Sequence, residues 1–424
     1  MGEPIPFARP LIGKGEEEAV LRVLRSGWLT TGGETLAFER EFAEFLGSPE
    51  RESPQGSIRC LAVNSATSGL HLALEACGVR QGDLVLVPSF TFTSTAEVVR
   101  YLGAEPVFVD SLPGGFHIDP GALKATLERL AGGLPAYPPR SGGLKAGGFG
   151  PRGRAAAVVP VHYGGLPCDM GAIRDIARSY KLRVVEDAAH SFPSLIPGAG
   201  KSGEAAFAGT LGDAGVFSFY ATKTITTGEG GMVACRDPEL AARIPVMRSH
   251  GIDRSIWNRY TDPRAPWYYS VVEAGYKYNL PDLLSALGRV QLSRSREFLS
   301  LREGIAARYN EAFSGDPHFT VPPGGPGNAW HLYPLRLNPG TLSVSRDEFA
   351  RKLQEGGVGV SVHFIPLHTM PYYRNAYGLE EGDFPEALKT FKRVISLPIW
   401  QGMDGKMVEK VTAMVKALGR QYNA

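Results

Sequence analysis

Lys223 stands in an odd place for an ammonium group. It follows the apolar run Val216–Tyr220 in GVFSFYATKTITTGEGGM (215–232), and the residues after it are small: Thr226, Thr227, Gly228, Gly230 and Gly231. A solvated loop charge is the simplest account. A lysine partly withdrawn from water, however, has a lowered pKa and becomes a nucleophile able to form a Schiff base. Ser218 lies on the same run. Asp187 closes a second apolar run, in VVEDAAHS (184–191). A carboxylate at the end of a buried strand needs a partner, which here is a metal, a cation or a protonated ring nitrogen. His190 follows three residues on, as a neighbour of that partner or as a satisfied structural histidine. In NSATSG (64–69), Thr67 and Ser68 open a helical pattern. They are ordinary N-caps, or donors to an anion such as phosphate at a helix N-terminus. Phe92, in PSFTFTST (88–95), either packs in the core or stacks on a flat ring.

The elements around these residues set where they must lie. IRCLAV (58–63), DLVLVP (83–88), PVFVD (106–110), AAVVPVHY (156–163) and LRVVED (182–187) are short apolar runs, and SATSGLHLALEACG, TSTAEVVRYLGA and MGAIRDIARSYK are helical patterns between them. That rhythm predicts an α/β fold with a mostly parallel sheet. The runs are apolar throughout, as strands covered on both faces should be. Each candidate side chain then sits in a loop following a strand, where open α/β sheets place ligands. From about residue 290 the pattern changes. A long polar helix, SRSREFLSLREGIAARYNEAF, leads to a strand, AWHLYPLRL, and then to a helix and strand in SRDEFARKLQEGGVGVSVHF. The expected organisation is therefore a large domain over residues 1–290 and a smaller C-terminal α+β domain over 291–424. Residues 131–157, rich in Gly, Pro and Arg, read as a flexible surface excursion, and 48–57 and 193–209 as shorter loops of the same kind.

Composition narrows the function. The 424 residues carry 45 Lys+Arg against 43 Asp+Glu, a net charge of +2, which supports neither a nucleic-acid nor a membrane partner. No segment approaches transmembrane length, and the N-terminus has no apolar stretch of the signal-peptide kind. Cys60, Cys77, Cys168 and Cys235 are far apart with no C-x-x-C pair, so they read as reduced interior residues. His363 and His368 lack a third ligand at a recognisable spacing, and no metal is expected. The expected setting is cytoplasmic.

Taken together, the pieces fit one ligand. A phosphate at Thr67, Ser68 and Ser218, a ring over Phe92, an acid at Asp187 for a ring nitrogen and a lysine for an aldehyde describe pyridoxal 5'-phosphate (PLP). A carboxylate that keeps the pyridine nitrogen protonated lets the ring accept carbanion electrons.

The sequence resembles the DegT/DnrJ/EryC1/StrS family of sugar-nucleotide aminotransferases, of the fold-type I (aspartate aminotransferase-like) PLP superfamily. The resemblance runs through SGWLTTG (26–32), VNSATSGLHLAL (63–74), PSFTFTSTAEVV (88–99), PVHYGGLPCDM (160–170), VEDAAHS (185–191), FSFYATKTITTGEGGM (217–232), RSHGIDR (248–254), GYKYNLPDLLSALG (275–288), NAWHLYPL (328–335) and VHFIPLH (362–368). The loops at 48–57, 131–157 and 193–209 look longer than the family's. The resemblance implies that Lys223 carries PLP and shuttles a proton, that Asp187 pairs with the pyridine nitrogen, and that His190 lies near the ring hydroxyl. It implies phosphate contacts from Thr67, Ser68 and Ser218, ring stacking by Phe92, and Asn279 reaching the phosphate of a partner subunit, hence a homodimer with shared active sites. Trp28, Thr30, His331 and His363 fall in motifs near the sugar. The implied reaction is amination of a nucleotide-linked keto-sugar, with L-glutamate as donor, for a surface polysaccharide or lipopolysaccharide. PVHYGG and the stretch 6–32 look more like the C4-aminating branch. The alternatives are C3 amination, a PLP-dependent sugar dehydratase (whose histidine at the Schiff-base position is Lys223 here) and a PLP-binding regulatory protein.

Overall fold

The computed structural model describes residues 3–47, 57–138, 148–200, 203–253, 269–325 and 327–424. Two helices, α1 (Lys14–Ser26) and α2 (Gly33–Phe45), precede the sheet. The sheet elements follow in order: β1 (Arg59–Val63), α3 (Ala66–Ala76), β2 (Leu84–Pro88), α4 (Ser94–Tyr101), β3 (Glu105–Val109), α5 (Pro120–Ala131), β4 (Ala155–Val158), α6 (Met170–Tyr180), β5 (Arg183–Asp187), the short pair β6 (Leu195–Ile196) and β7 (Ala206–Phe207), then β8 (Ala214–Ser218), β9 (Gly231–Cys235) and α7 (Pro238–Met247). Seven strands form one sheet in the order β1-β9-β8-β5-β4-β2-β3. β9 runs antiparallel to both its neighbours, and the remaining pairings are parallel. The α/β architecture with a mostly parallel sheet, expected from the strand–helix rhythm, is present.

Both faces of this sheet are buried, which is why its strands carry no polar alternation. Side chains alternate across a strand. On β8, Val216 joins one hydrophobic cluster and Phe217 another; on β9, Val233 and Cys235 face the first and Met232 and Ala234 the second. The second face holds an aromatic nest in which Phe42 of α2 meets Phe192, Phe217 and Phe219 with centroids 4.9–5.6 Å apart. All four cysteines are free and buried.

Beyond α8 (Asp282–Ser293) and α9 (Ser295–Phe313), a three-stranded antiparallel sheet forms from β10 (Phe319–Thr320), β11 (Tyr333–Leu337) and β12 (Val394–Leu397), with α10 (Arg346–Glu355) between β11 and β12. A third cluster, including Tyr309, Phe313, Tyr333, Phe349 and Val411, fills its interior. Residues 358–364, expected as a strand, are not one. They run extended with only the isolated bridges Ile5–Val358 and Ser361–Ser396, and the third ladder position goes to β12.

Two loop expectations are corrected. The 131–157 segment is anchored rather than free in its described parts. Tyr137 and Phe149 exchange backbone hydrogen bonds of 3.0 and 3.1 Å, and Ala136 and Tyr137 are buried. The Tyr137 hydroxyl accepts from the Phe108 amide at 2.8 Å. Apolar residues this sparse give no periodicity, yet Ala136 and Tyr137 enter the core and Phe149 packs against it. Only 139–147 lies outside the described residues, as does nearly all of 48–57. Within segment 193–209, β6 and β7 pair antiparallel, and the Leu195 amide also donates to the Gly327 carbonyl. No described helix is long and apolar enough to cross a membrane.

Candidate active site

The C-terminal ends of β2, β5 and β8 and the N-terminus of α3 converge on a cavity of about 450 Å³. Thr67, Phe92, Asp187, His190, Ser218, Lys223, His331 and His363 all line it. The α3 end approaches β8 closely because Gly69 has no side chain: a Cβ there would lie 2.7 Å from Val216. Gly231 does the same on the other side, since its Cβ would come within 2.8 Å of the Ala66 nitrogen.

Ser65 is the N-cap of α3, its hydroxyl accepting from the Ser68 amide at 3.1 Å. The Ala66 and Thr67 amides are among the four helix N–H groups that have no intrahelical acceptor, and both residues line the cavity. Ser68 departs from expectation. Its hydroxyl donates to Asn64 Oδ1 at 2.7 Å and lies 2.8 Å from the Ser65 carbonyl, and its side chain does not line the cavity. In this structure it completes the cap.

Strand β5 ends in two carboxylates that point to opposite faces. Glu186 is fully buried, accepting from the Gly209, Leu211 and Gly212 amides at 2.6–2.9 Å and lying 2.9 Å from His162 Nε2. Those partners, foremost His162, outweigh burial and hold its carboxyl below the usual range. Asp187 faces the cavity. Thr95 Oγ1 donates to its Oδ2 at 2.9 Å and the Ala189 amide to its Oδ1 at 3.2 Å. Burial nevertheless raises its carboxyl above the ordinary value, opposed by these bonds and by Lys223. An acceptor short of positive charge suits a protonated ring nitrogen.

Burial lowers Lys223 from 10.5 to about 8, opposed by the Asp187 charge. His190 is pushed well below its ordinary value by burial and then by Lys223 and His363. The Gly164 amide donates to its Nδ1 at 3.3 Å, so the proton of the neutral ring resides on Nε2 and is available as a donor. His363, on the extended 358–364 segment, is held through Nδ1 to Ser396 Oγ at 2.9 Å and lowered to about 4 by burial and then by Lys223. Phe364 stacks on His190 with centroids 5.6 Å apart at 27°. Phe92 is 55% exposed at the mouth, which sets aside core packing as its role. The set of a basic amine, an unneutralised acid, a neutral imidazole donor and an open helix N-terminus fits PLP.

Trp28, Thr30 and Asn279 do not line this cavity. They share a separate knot. Asn279 Nδ2 donates to Thr31 Oγ1 at 2.7 Å, Trp28 Nε1 to the Thr31 carbonyl at 3.3 Å, and the Asp282 amide to the Thr30 carbonyl at 3.3 Å. Asp282 in turn accepts from the Gly32 and Thr35 amides at 2.7 and 3.0 Å, capping α2. Residues that sequence reasoning passed over are Ser65, Thr95, Val161, Ala189 and Phe364. The Ser-x-x-Ser spacing of 65–68 was a cap signal. Nothing in sequence joins Thr95 to Asp187.

Residues 10–416 match the DegT/DnrJ/EryC1/StrS aminotransferase family. The spore coat polysaccharide biosynthesis protein SpsC of Bacillus subtilis is 40% identical over 415 residues, covering 97% of this chain and 96% of SpsC. Among solved structures, the putative sugar aminotransferase Spr1654 of Streptococcus pneumoniae, in its PMP form, superposes with a TM-score of 0.83 at 26% identity over 98% of this chain and 99% of that one. The Helicobacter pylori aminotransferase PseC, involved in pseudoaminic acid biosynthesis, does so with a TM-score of 0.81 at 25% identity, over 99% and 100%.

Proposed function

Because the chain belongs to the DegT/DnrJ/EryC1/StrS aminotransferase family, whose members use PLP, we propose that it transfers an amino group from L-glutamate to the 4-keto carbon of a nucleotide-linked sugar, in making a surface polysaccharide or lipopolysaccharide. The observation that carries this reading is the meeting of Lys223, Asp187 and the open α3 N-terminus in one cavity. The likeness to SpsC supports the polysaccharide destination. The C4 position rests on PVHYGG and the stretch 6–32, and glutamate on the family resemblance.

Bound PLP supplies an electron-withdrawing ring that takes up the electrons of the C–H bond being broken. The residues divide the remaining work. Lys223 Nζ, lowered to about 8, is a free amine for part of its population near neutral pH; it would hold PLP through the aldehyde carbon and, once the donor amine had displaced it there, would be free to take up and return the substrate's carbon-bound proton. Asp187 accepts from the ring N–H, its two oxygens fixed by Thr95 and Ala189. His190 Nε2–H donates to the ring hydroxyl oxygen. The amides of Ala66 and Thr67 and the hydroxyl of Ser218 receive the phosphate, and Phe92 covers the ring. His331 and His363 face the sugar as neutral groups that read hydroxyls.

The proposal includes a homodimer in which Asn279, with Trp28 and Thr30, serves the neighbouring protomer's cavity. In support, none of the three lines its own cavity, and Thr31 binds Asn279 to the Trp28–Thr30 segment. A cytoplasmic site of action accords with nucleotide-sugar substrates. Incubation with a panel of nucleotide 4-keto and 3-keto sugars and glutamate, read by mass spectrometry, tests the reaction. A gain of amine only on 3-keto sugars moves the assignment to C3. No amine from any of them, in protein that holds PLP, favours the regulatory reading.

A further inference from the structure

Arg302 of α9 is 1% exposed, and among the described residues its hydrogen-bond partners include no carboxylate. Its Nη1 lies 3.1, 3.2 and 2.8 Å from the carbonyls of Trp330, His331 and Ile399, and its Nη2 is 3.4 Å from Gln401 Oε1. A buried guanidinium without a counter-charge is costly, so a group that merely filled space here would be apolar. The carbonyls it gathers belong to two segments. One is the turn that carries His331 into the cavity, with Trp330 at a φ of 48°. The other is the 399–401 segment, whose Gln401 Nε2 donates at 2.6 Å to the carbonyl of Thr224, the residue after Lys223. On the far side of the same turn the Thr226 amide donates to Gln291 Oε1 at 3.3 Å.

We infer that Arg302 is a positioning residue for the cofactor lysine: through Gln401 and Thr224 it fixes the turn that aims Lys223, and through the 330–331 carbonyls it fixes the opposite wall at His331. Carbonyl dipoles converging on one planar fork define that geometry from several directions at once. A lysine at the position has three donors on a single nitrogen and does not span the same acceptors. The inference rests on Lys223 being the residue that bonds PLP.

The test uses full-length holoenzyme variants Gln401→Leu, Arg302→Lys and Arg302→Met. The readout is the pH midpoint of the absorbance change of the Lys223-linked cofactor without substrate, with PLP retention on dialysis. Gln401→Leu cuts the arm to Thr224 without adding charge. Loosening the turn admits water to the Lys223-linked nitrogen and solvates its protonated form better, so the midpoint rises by about half a unit or more, and PLP loss quickens about fivefold. Arg302→Lys shifts both in the same direction by less than Arg302→Met does. If Arg302→Met fails to fold, Gln401→Leu decides alone. A folded Gln401→Leu protein with unchanged midpoint and PLP retention overturns the inference. Borohydride trapping and peptide mapping are run beside it: pyridoxyl on another lysine refutes the assignment of Lys223 itself, and so the premise, whereas pyridoxyl on Lys223 with an unmoved midpoint refutes only the role of Arg302.

Discussion

Lys223→Met should stabilise the apoenzyme, and the gain should depend on pH in one direction only. Burial lowers the amine from 10.5 to about 8, so the unfolded chain binds its proton more tightly than the folded one. Below about pH 8 the folded state carries the full penalty of a buried ammonium. Between about 8 and 10.5 the folded amine is neutral while the unfolded one is still charged, so stability rises with pH. Above that window both are neutral and the penalty is gone. At about 1.36 kcal/mol per pH unit the interval corresponds to about 3 kcal/mol; because Lys223 is only partly buried by its surface exposure, about 2 kcal/mol is the working figure. Methionine has no charge to bury. Urea unfolding of both apoproteins at fixed protomer concentration, from pH 7 to 11, gives the difference directly, since every other titrating group is common to both. The mutant should be more stable by about 2 kcal/mol at pH 7 and by nothing near pH 11. A difference that stays constant across that range shows that Lys223 is not desolvated, and removes the argument for its nucleophilicity.

Asp187→Asn should keep its fold and bind PLP but lose turnover by about a hundredfold or more, because an amide cannot hold the ring nitrogen protonated; kcat near wild type would clear Asp187 of that role. Glu186→Ala should cost at least about 3 kcal/mol of stability, since it strands several buried donors, and a melting temperature like wild type would contradict the packing described. Tyr137→Ala should cost about 3–5 kcal/mol, whereas a Gly/Ser link in place of 139–147 should leave urea stability unchanged; equal effects would mean that the anchor lies elsewhere. Lys223→Ala and Asn279→Asp chains, each inactive alone, should regain up to about a quarter of wild-type activity when dissociated and reassociated together, as random pairing allows. A dead mixture with heterodimers present rules out Asn279 acting in trans.

What could be read from sequence was what is local. β5 and β8 are apolar runs that end in a polar residue, and that pattern alone puts Asp187 and Ser218 at the C-terminal ends of their strands. The Gly-rich stretch after Lys223 signalled close approach. Long-range partners left no trace: Thr95 reaches Asp187, and Gln401 reaches Thr224, only because separate elements cross there. The Ser68 hydroxyl lies on the cap because the N-cap position in Ser-Ala-Thr-Ser belongs to the first serine, which turns the second inward. In 131–157, glycine and proline hid three anchoring residues, Ala136, Tyr137 and Phe149, spaced too irregularly for either period. β12 was missed because VISL is four residues long and lies beside helical signals, while 358–364 had the composition of a strand without a free ladder to join.

The position of β9 has a consequence for how the chain reaches this state. Val63 pairs with Gly231, and only when β9 slots between β1 and β8 is the start of α3 brought against Ser218 and the turn of Lys223. A ribosome adding about 5–20 residues per second leaves β1 without its neighbour for on the order of ten seconds or more. Over that interval its backbone edge is open to any other strand, and the pairing that ends it is among the least local the chain makes, a kind that slows folding. A nascent chain stopped before residue 231 therefore lacks the strand that joins the two walls of the cavity, so recovery of cofactor absorbance on refolding should report the insertion of β9 rather than the collapse of the sheet around it.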